Sequence, residues 1–299
     1  MSEEALPILP DLTIVGKIGE GGMSKVYQAI DRRSSLPVAV KILKPEFAAN
    51  SEDLELFAQE SKTMELFNHP GIVKSYGLHT FEGKIYYIME LVDGYSYGAY
   101  INDGHKTSEE DCLLICESVA CALDYAWNDF GIVHCDIKPD NIMINSEGIV
   151  KITDLGLSRT FKFLKKDQID IPDHILGTPA YISPEQIFSD VELDCRSDIY
   201  SLAASLYHLC TRRVLFPGLN NESTLRAQCD ASSQARDPRY YNPKLSEGFC
   251  QLLEVMLVKD RNYRLRTWKD VFKMARDVEE GISFKPRPTP SPSSLKLMR

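Results

Sequence analysis

The sequence lacks any Cys-x-x-Cys pair, and its eight cysteines are scattered at 112, 116, 121, 135, 195, 210, 229 and 250 with no zinc-like grouping. That excludes a zinc ribbon or a redox dithiol and points to free thiols in a reducing compartment. Positive charge is also short: the formal net charge is -9. A phosphate-tracking nucleic-acid binder is therefore not expected, because no local basic patch in the body overrides that sign. No apolar run is long enough to span a membrane. The opening MSEEALPILP carries acids and prolines where a secretory signal would place basic residues and then an apolar run. A cytoplasmic location is expected, either as such or as the cytosolic domain of a longer membrane-anchored protein.

What is present describes a folded chain. Apolar residues make up 43% and charged residues 26% of 299 positions, an ordinary globular balance able to build a sizeable core. From Leu12 to Val92 the runs TIVGKIG, KVYQAI, PVAVKIL, IVKSYGLHTF and KIYYIMELV are rich in β-branched and aromatic residues and separated by turns, so strands are predicted. A helix is predicted over 52–67, with acids in its first turn and Leu54, Phe57, Ser61 and Met64 at helical spacing. After residue 108 the texture becomes helical. A long helix opens at a capping Ser108 and closes at Gly131, with further helices over 197–211, 246–258 and 267–280. The boundary between the two textures falls near Val92 to Gly94. The final KPRPTPSPSSLKLMR, with four prolines and no acid, reads as an extended tail.

Several short motifs carry chemistry. Gly19-Glu20-Gly21-Gly22-Met23-Ser24-Lys25-Val26 joins two strand runs, and its missing side chains would let backbone N–H groups approach phosphate oxygens; alone it is equally an ordinary glycine-rich hairpin. Val38-Ala39-Val40-Lys41 ends an apolar strand on an ammonium. Glu60 on the following helix could hold that ammonium in place, although singly each reads as a surface charge. His134-Cys135-Asp136-Ile137-Lys138-Pro139-Asp140-Asn141 is more specific, because Asp, Lys and Asn recur at two- and three-residue steps in a short loop bounded by apolar runs. Asp154-Leu155-Gly156 follows IVKIT, and Gly177-Thr178-Pro179-Ala180-Tyr181-Ile182-Ser183-Pro184-Glu185 follows later, with Asp198 and Arg264 downstream.

In this order and spacing the motifs resemble those of eukaryotic-like (Hanks-type) serine/threonine protein kinases, most closely the bacterial ones, over residues 11–281. The resemblance implies an α+β, bilobal protein kinase fold: a small antiparallel-sheet N-lobe with one helix over about 11–92, a larger mainly helical C-lobe over about 93–281, and a proline-rich tail over 282–299. It implies transfer of the γ-phosphate of ATP to Ser/Thr hydroxyls of a protein substrate, with Mg2+ (or Mn2+). Asp136 would orient the acceptor hydroxyl, Lys138 would contact the transferring phosphate, and Lys41 with Glu60 would serve the α- and β-phosphates. Asn141 and Asp154 would hold metal. The nucleotide site would be lined by Ile18, Gly19, Gly21, Gly22, Val26, Ala39, Lys41, Met89, Glu90, Val92 and Met143, with Met89 as gatekeeper and Glu90 and Val92 lending backbone groups to adenine. Glu185 would pair with Arg264.

Four departures qualify the resemblance. Leu155 replaces the commoner phenylalanine, and Ser183 the commoner alanine. Cys135 stands where regulated kinases carry an arginine that pairs with a phosphorylated segment, and a thiol cannot make that contact. Residues 161–177 hold no Ser, Thr or Tyr, leaving Ser158, Thr160 and Thr178. Control independent of activation-loop phosphorylation is therefore expected, by homodimerisation or by a partner docking on the Glu60 helix. Lys165 or Lys166 taking over the lost arginine's role is the alternative. The competing function class, a nucleotide-binding pseudokinase or regulatory scaffold, is disfavoured because Lys41, Glu60, Asp136, Asn141 and Asp154 are all present. A small-molecule kinase is disfavoured by the intact GTPAYISPE segment.

Overall fold

A computed structural model describes residues 6–155, 178–187 and 193–282. Expectations attached to Gly156, Ser158, Thr160, Lys165, Lys166, Gly177 and the proline-rich tail beyond 282 lie outside the described residues. The described chain groups into two compact units: residues 6–100 with 139–155, and residues 101–138 with those from 178 onward.

The first unit is built on a five-stranded antiparallel sheet in the order β1-β2-β3-β5-β4. Its strands are β1 (Leu12–Glu20), β2 (Ser24–Asp31), β3 (Pro37–Leu43), β4 (Ser75–Phe81) and β5 (Lys84–Glu90). Between β3 and β4 come a single turn, α1 (Pro45–Ala48), and α2 (Ser51–Glu65), where one helix over 52–67 was predicted. Asn50 starts α2 by accepting from the Glu52 N–H, and the helix packs on β4. Strand alternation divides β3 between two faces. Val38, Val40 and Ile42 join Leu9, Leu12, Tyr27, Ala29 and Tyr86 in an apolar core, which leaves Ala39 and Lys41 on the opposite face.

A second, three-stranded sheet, β6 (Gly94–Ser96), β7 (Ile142–Asn145) and β8 (Val150–Ile152), also belongs to this unit. Its strands are three or four residues long, too short to register as period-2 patterns. Gly94 allows β6 to lie against β7, since a Cβ there would collide with the Ile144 carbonyl. Backbone bonds from Val73 to Ile152 (2.9 Å) and from Ile152 to Gly71 (2.8 Å) tie β8 to the segment leading into β4. α3 (Tyr97–Asn102) continues the chain toward the second unit.

The second unit is helical: α4 (Glu109–Phe130), α5 (Pro184–Ile187), α6 (Cys195–Thr211), α7 (Asn221–Cys229), α8 (Glu247–Met256) and α9 (Trp268–Glu279). Ser108 caps α4 by accepting from the Asp111 N–H, and Gly131 ends it in the left-handed region at φ 65°. α4 packs on α6 and α9, and α6 on α8. α6 is buried along nearly its whole length, and most of its residues are apolar or small, with Asp198, Tyr200 and Tyr207 as buried polar exceptions. No helix among the described residues is long and apolar enough to cross a membrane.

Candidate active site

The expected site residues divide between the two units. Lys41, Glu60, Asn141, Asp154 and the nucleotide-lining positions lie in the sheet unit, and Asp136 and Lys138 in the helical one.

In the sheet unit, β3 and β5 pair so that Lys41 faces Tyr87 and Ala39 faces Met89. These four share one face. The buried stripe of α2 (Phe57, Glu60, Ser61, Thr63 and Met64) includes an acid. The Lys41 Nζ lies 2.5 Å from Glu60 Oε1 and 2.7 Å from Asp154 Oδ1. Burial opposes the Lys41 charge, but the Asp154 and Glu60 carboxylates outweigh it and hold the ammonium's pKa well above the usual lysine range. Burial pushes the Glu60 carboxyl up, offset only in part by Lys41. The cluster therefore keeps a fixed positive charge next to two acids that compete for it.

Asp154 itself sits in the left-handed region at φ 62°, sparsely used by non-glycine residues. Leu155, fully buried, follows it. Asn141 is buried, and its carbonyl accepts from the Thr153 N–H at 3.1 Å, which brings the stretch carrying Asn141 beside the one carrying Asp154. Two side-chain oxygen donors suit Mg2+, which is bound through few protein ligands. No group of three or more His, Cys, Asp or Glu among the described residues could form a protein-only metal cage.

Along the nucleotide-lining positions, Ala39, Met89 and Val92 are buried, Val26 and Met143 are half-buried, and Ile18 is exposed. Gly19 pairs with Val26 and Val26 with Lys41 in neighbouring ladders, while Met143 pairs with Ser96. The Glu90 carboxylate is engaged by Lys151 at 2.9 Å. The glycine turn is where the phosphates are expected. A Cβ on Gly19 or Gly21 would approach nothing nearer than 3.7 Å, one on Gly22 would meet nothing within 4 Å, and none of the three has a positive φ. The turn needs no glycine for its own conformation or packing, which leaves a bare backbone cradle suited to an anionic ligand.

In the helical unit, Lys138 Nζ lies 2.7 Å from Asp136 Oδ2. The loop carrying them is held by its backbone. Asp198, buried in the first turn of α6, accepts from the His134 N–H at 2.7 Å and from the Cys135 N–H at 2.8 Å. Gln186 Nε2 donates to the Cys135 carbonyl at 2.7 Å, and Gln186 Oε1 accepts from the Ser183 hydroxyl at 2.8 Å. Cys135 is buried at φ 66°, and burial pushes its thiol well above the ordinary cysteine range; it is an inert side chain on a constrained backbone. Burial raises the Asp198 carboxyl to about 6, against the pull of His134 and the two amides. Glu185 meets Arg264 in a fork at 2.6 and 3.0 Å, both buried, and also accepts from the Ser197 hydroxyl at 2.9 Å.

Three residues that the motifs do not mark take part. Tyr87 donates to Glu60 at 2.7 Å, Gln186 links Ser183 to the catalytic loop, and Lys151 holds Glu90. For Tyr87 a signal existed: it lies two residues before Met89, hence on the same strand face.

A family model described as "Protein kinase domain" matches residues 12–275. PknA of Mycobacterium tuberculosis, a serine/threonine-protein kinase, is 32% identical over 280 residues, covering 92% of this chain and 62% of PknA. PrkC of Bacillus subtilis, also a serine/threonine-protein kinase, is 31% identical over 258 residues, covering 86% of this chain and 39% of PrkC. The chain thus spans between two-fifths and two-thirds of the length of these relatives. The crystal structure of the PknI kinase domain of Mycobacterium tuberculosis superposes with a TM-score of 0.70 at 22% identity, covering 91% of this chain and 99% of that domain. Fold, motif order and family model agree, and the chain belongs to the protein kinase family, its relatives here being serine/threonine-protein kinases of bacteria.

Proposed function

We propose that this chain transfers the γ-phosphate of ATP to serine or threonine hydroxyls of proteins, without requiring phosphorylation of its own activation segment. The observation that carries the first part is the Lys41 ammonium held at once by Glu60 and Asp154. Such a charge, fixed beside a bare glycine turn, is suited to the α- and β-phosphates of a nucleotide.

Asp154 and Asn141 are the residues that would hold Mg2+, which would supply positive charge to offset that of the phosphates. Ala39, Met89, Val26 and Met143 offer apolar contact to the adenine ring, and the backbone of Glu90 and Val92 offers hydrogen bonds to its edge. Asp136 accepts or orients the proton of the incoming hydroxyl, and Lys138 adds positive charge toward the transferred phosphoryl. These contributions are positioning and electrostatics, which supply most of the acceleration in phosphoryl transfer.

Independence from phosphorylation is supported by the bonds that hold the catalytic loop. Asp198 and Gln186 grip the backbone on either side of Cys135 from within the chain, so the loop does not wait for an arginine–phosphate contact.

The test is labelled phosphate transfer with ATP and Mg2+, to the chain itself and to a generic basic protein, before and after phosphatase treatment, alongside Asp136→Asn and Lys41→Met. Incorporation that both variants lack and that survives dephosphorylation is expected. Near-normal transfer by either variant would sink the assignment, and activity that disappears with the phosphates would sink the regulatory half. Nucleotide binding with no transfer would turn the reading toward a pseudokinase.

A further inference from the structure

Tyr87 is a fully buried tyrosine on β5 whose place opposite Lys41 follows from the β3–β5 register. Its hydroxyl donates to Glu60 Oε1 at 2.7 Å, the same oxygen that Lys41 approaches at 2.5 Å. Its ring lies 5.2 Å from that of Phe57, which precedes Glu60 by three residues on α2, and the Lys41 ammonium is 5.7 Å from the ring centroid. One side chain thus touches both members of the ion pair and the helix that carries the acid.

A buried carboxylate needs donors for its lone pairs, and each donor withheld leaves it poorly solvated. Lys41 divides its ammonium between Glu60 and Asp154. Without a second donor on Glu60, the carboxylate is free to draw Lys41 away from Asp154 or to carry α2 outward toward water. The phenol prevents both, because it is anchored in the sheet and burial keeps it protonated.

We infer that Tyr87 is a positioning residue for the Lys41–Glu60 pair: its hydroxyl fixes Glu60, and with it α2, so that Lys41 is presented to the phosphates of the nucleotide. The inference rests on the kinase reading and deepens it. It supplies, inside the sheet unit, a constraint on α2 that the expected docking partner or second copy would otherwise have to provide.

The experiment measures the affinity of the full chain for ATP with Mg2+ by titration, a readout that does not require turnover, for wild type, Tyr87→Phe, Glu60→Gln and the double variant, with a melting curve for each. Loss of a hydrogen bond to a buried charged group predicts about tenfold weaker binding for Tyr87→Phe. Its melting temperature should fall by no more than about 4 °C. If Tyr87 acts through Glu60, the double variant binds no more weakly than Glu60→Gln alone. Phe57→Leu, which loosens the ring contact and keeps the hydroxyl bond, stays within about twofold of wild type. Wild-type affinity in Tyr87→Phe, losses that multiply in the double variant, or a loss in Phe57→Leu equal to that of Tyr87→Phe would each overturn the inference. A wild-type chain that binds no nucleotide would overturn the kinase reading and the inference together, whereas binding that ignores Tyr87 would overturn the inference alone.

Discussion

Asp198 is buried at the start of α6, with its carboxylate spent on two backbone amides of the catalytic loop. Burial outweighs those bonds and sets its folded-state pKa at about 6, above the ordinary value of 3.8. A carboxyl raised on folding contributes stability that is fully present below its unfolded pKa and is lost as pH rises through the folded one. The window is therefore pH 4 to 6, and a shift of that size corresponds to about 3 kcal/mol. Asp198→Asn has no such titration. The stability advantage of wild type over Asp198→Asn in denaturant unfolding should shrink by up to about 3 kcal/mol between pH 4 and pH 7. An advantage that stays constant or grows across that range would show that Asp198 is ionised throughout in the fold.

Between elements, the fork joining Arg264 to Glu185 fixes α5 to the segment before α9. Arg264 Nη1 also reaches the Arg196 carbonyl, and its Nε donates to the Val258 carbonyl at 2.9 Å. Both charges are buried, so removing one partner leaves the other unpaired, at a cost of about 3–5 kcal/mol. Arg264→Met should lower stability by that order in denaturant unfolding, and Arg264→Met combined with Glu185→Leu should recover part of the loss. A double variant worse than the sum of the singles would contradict this account.

The elements also show where sequence was readable. The α4 boundaries were legible because Ser108 and Gly131 are local signals that depend on no other part of the chain. The five long strands were legible for the same reason. The pairing of β6 with β7 was not, since it rests on the missing Cβ of Gly94 meeting a carbonyl some fifty residues away. In the site, the catalytic loop and the Asp154 turn announced themselves as compact motifs, whereas the role of Tyr87 depends on a strand register and on a helix 27 residues earlier. The motifs mark the residues proposed to face a ligand; the residues bonded to them, such as Tyr87 and Gln186, are ordinary in sequence.

At the scale of the whole chain, the proposed nucleotide binding would be linked to folding. A ligand bound only by the folded state stabilises it by an amount set by its concentration over Kd, about 2.7 kcal/mol at a hundredfold excess. ATP with Mg2+ should therefore raise the melting temperature of the wild type. The shift should be much smaller for Lys41→Met, whose lost ammonium is the fixed positive charge on the Ala39 face of β3. An equal shift in both would place the nucleotide away from Lys41.

The glycine turn separates what the fold requires from what its ligand requires. Because side chains at Gly19, Gly21 and Gly22 would neither strain the backbone nor crowd a neighbour, alanine at these positions would pass any assay that reports folding alone. If the turn holds a nucleotide as proposed, damage here would be silent to the folded chain and audible only to that ligand, a demand from outside the polypeptide.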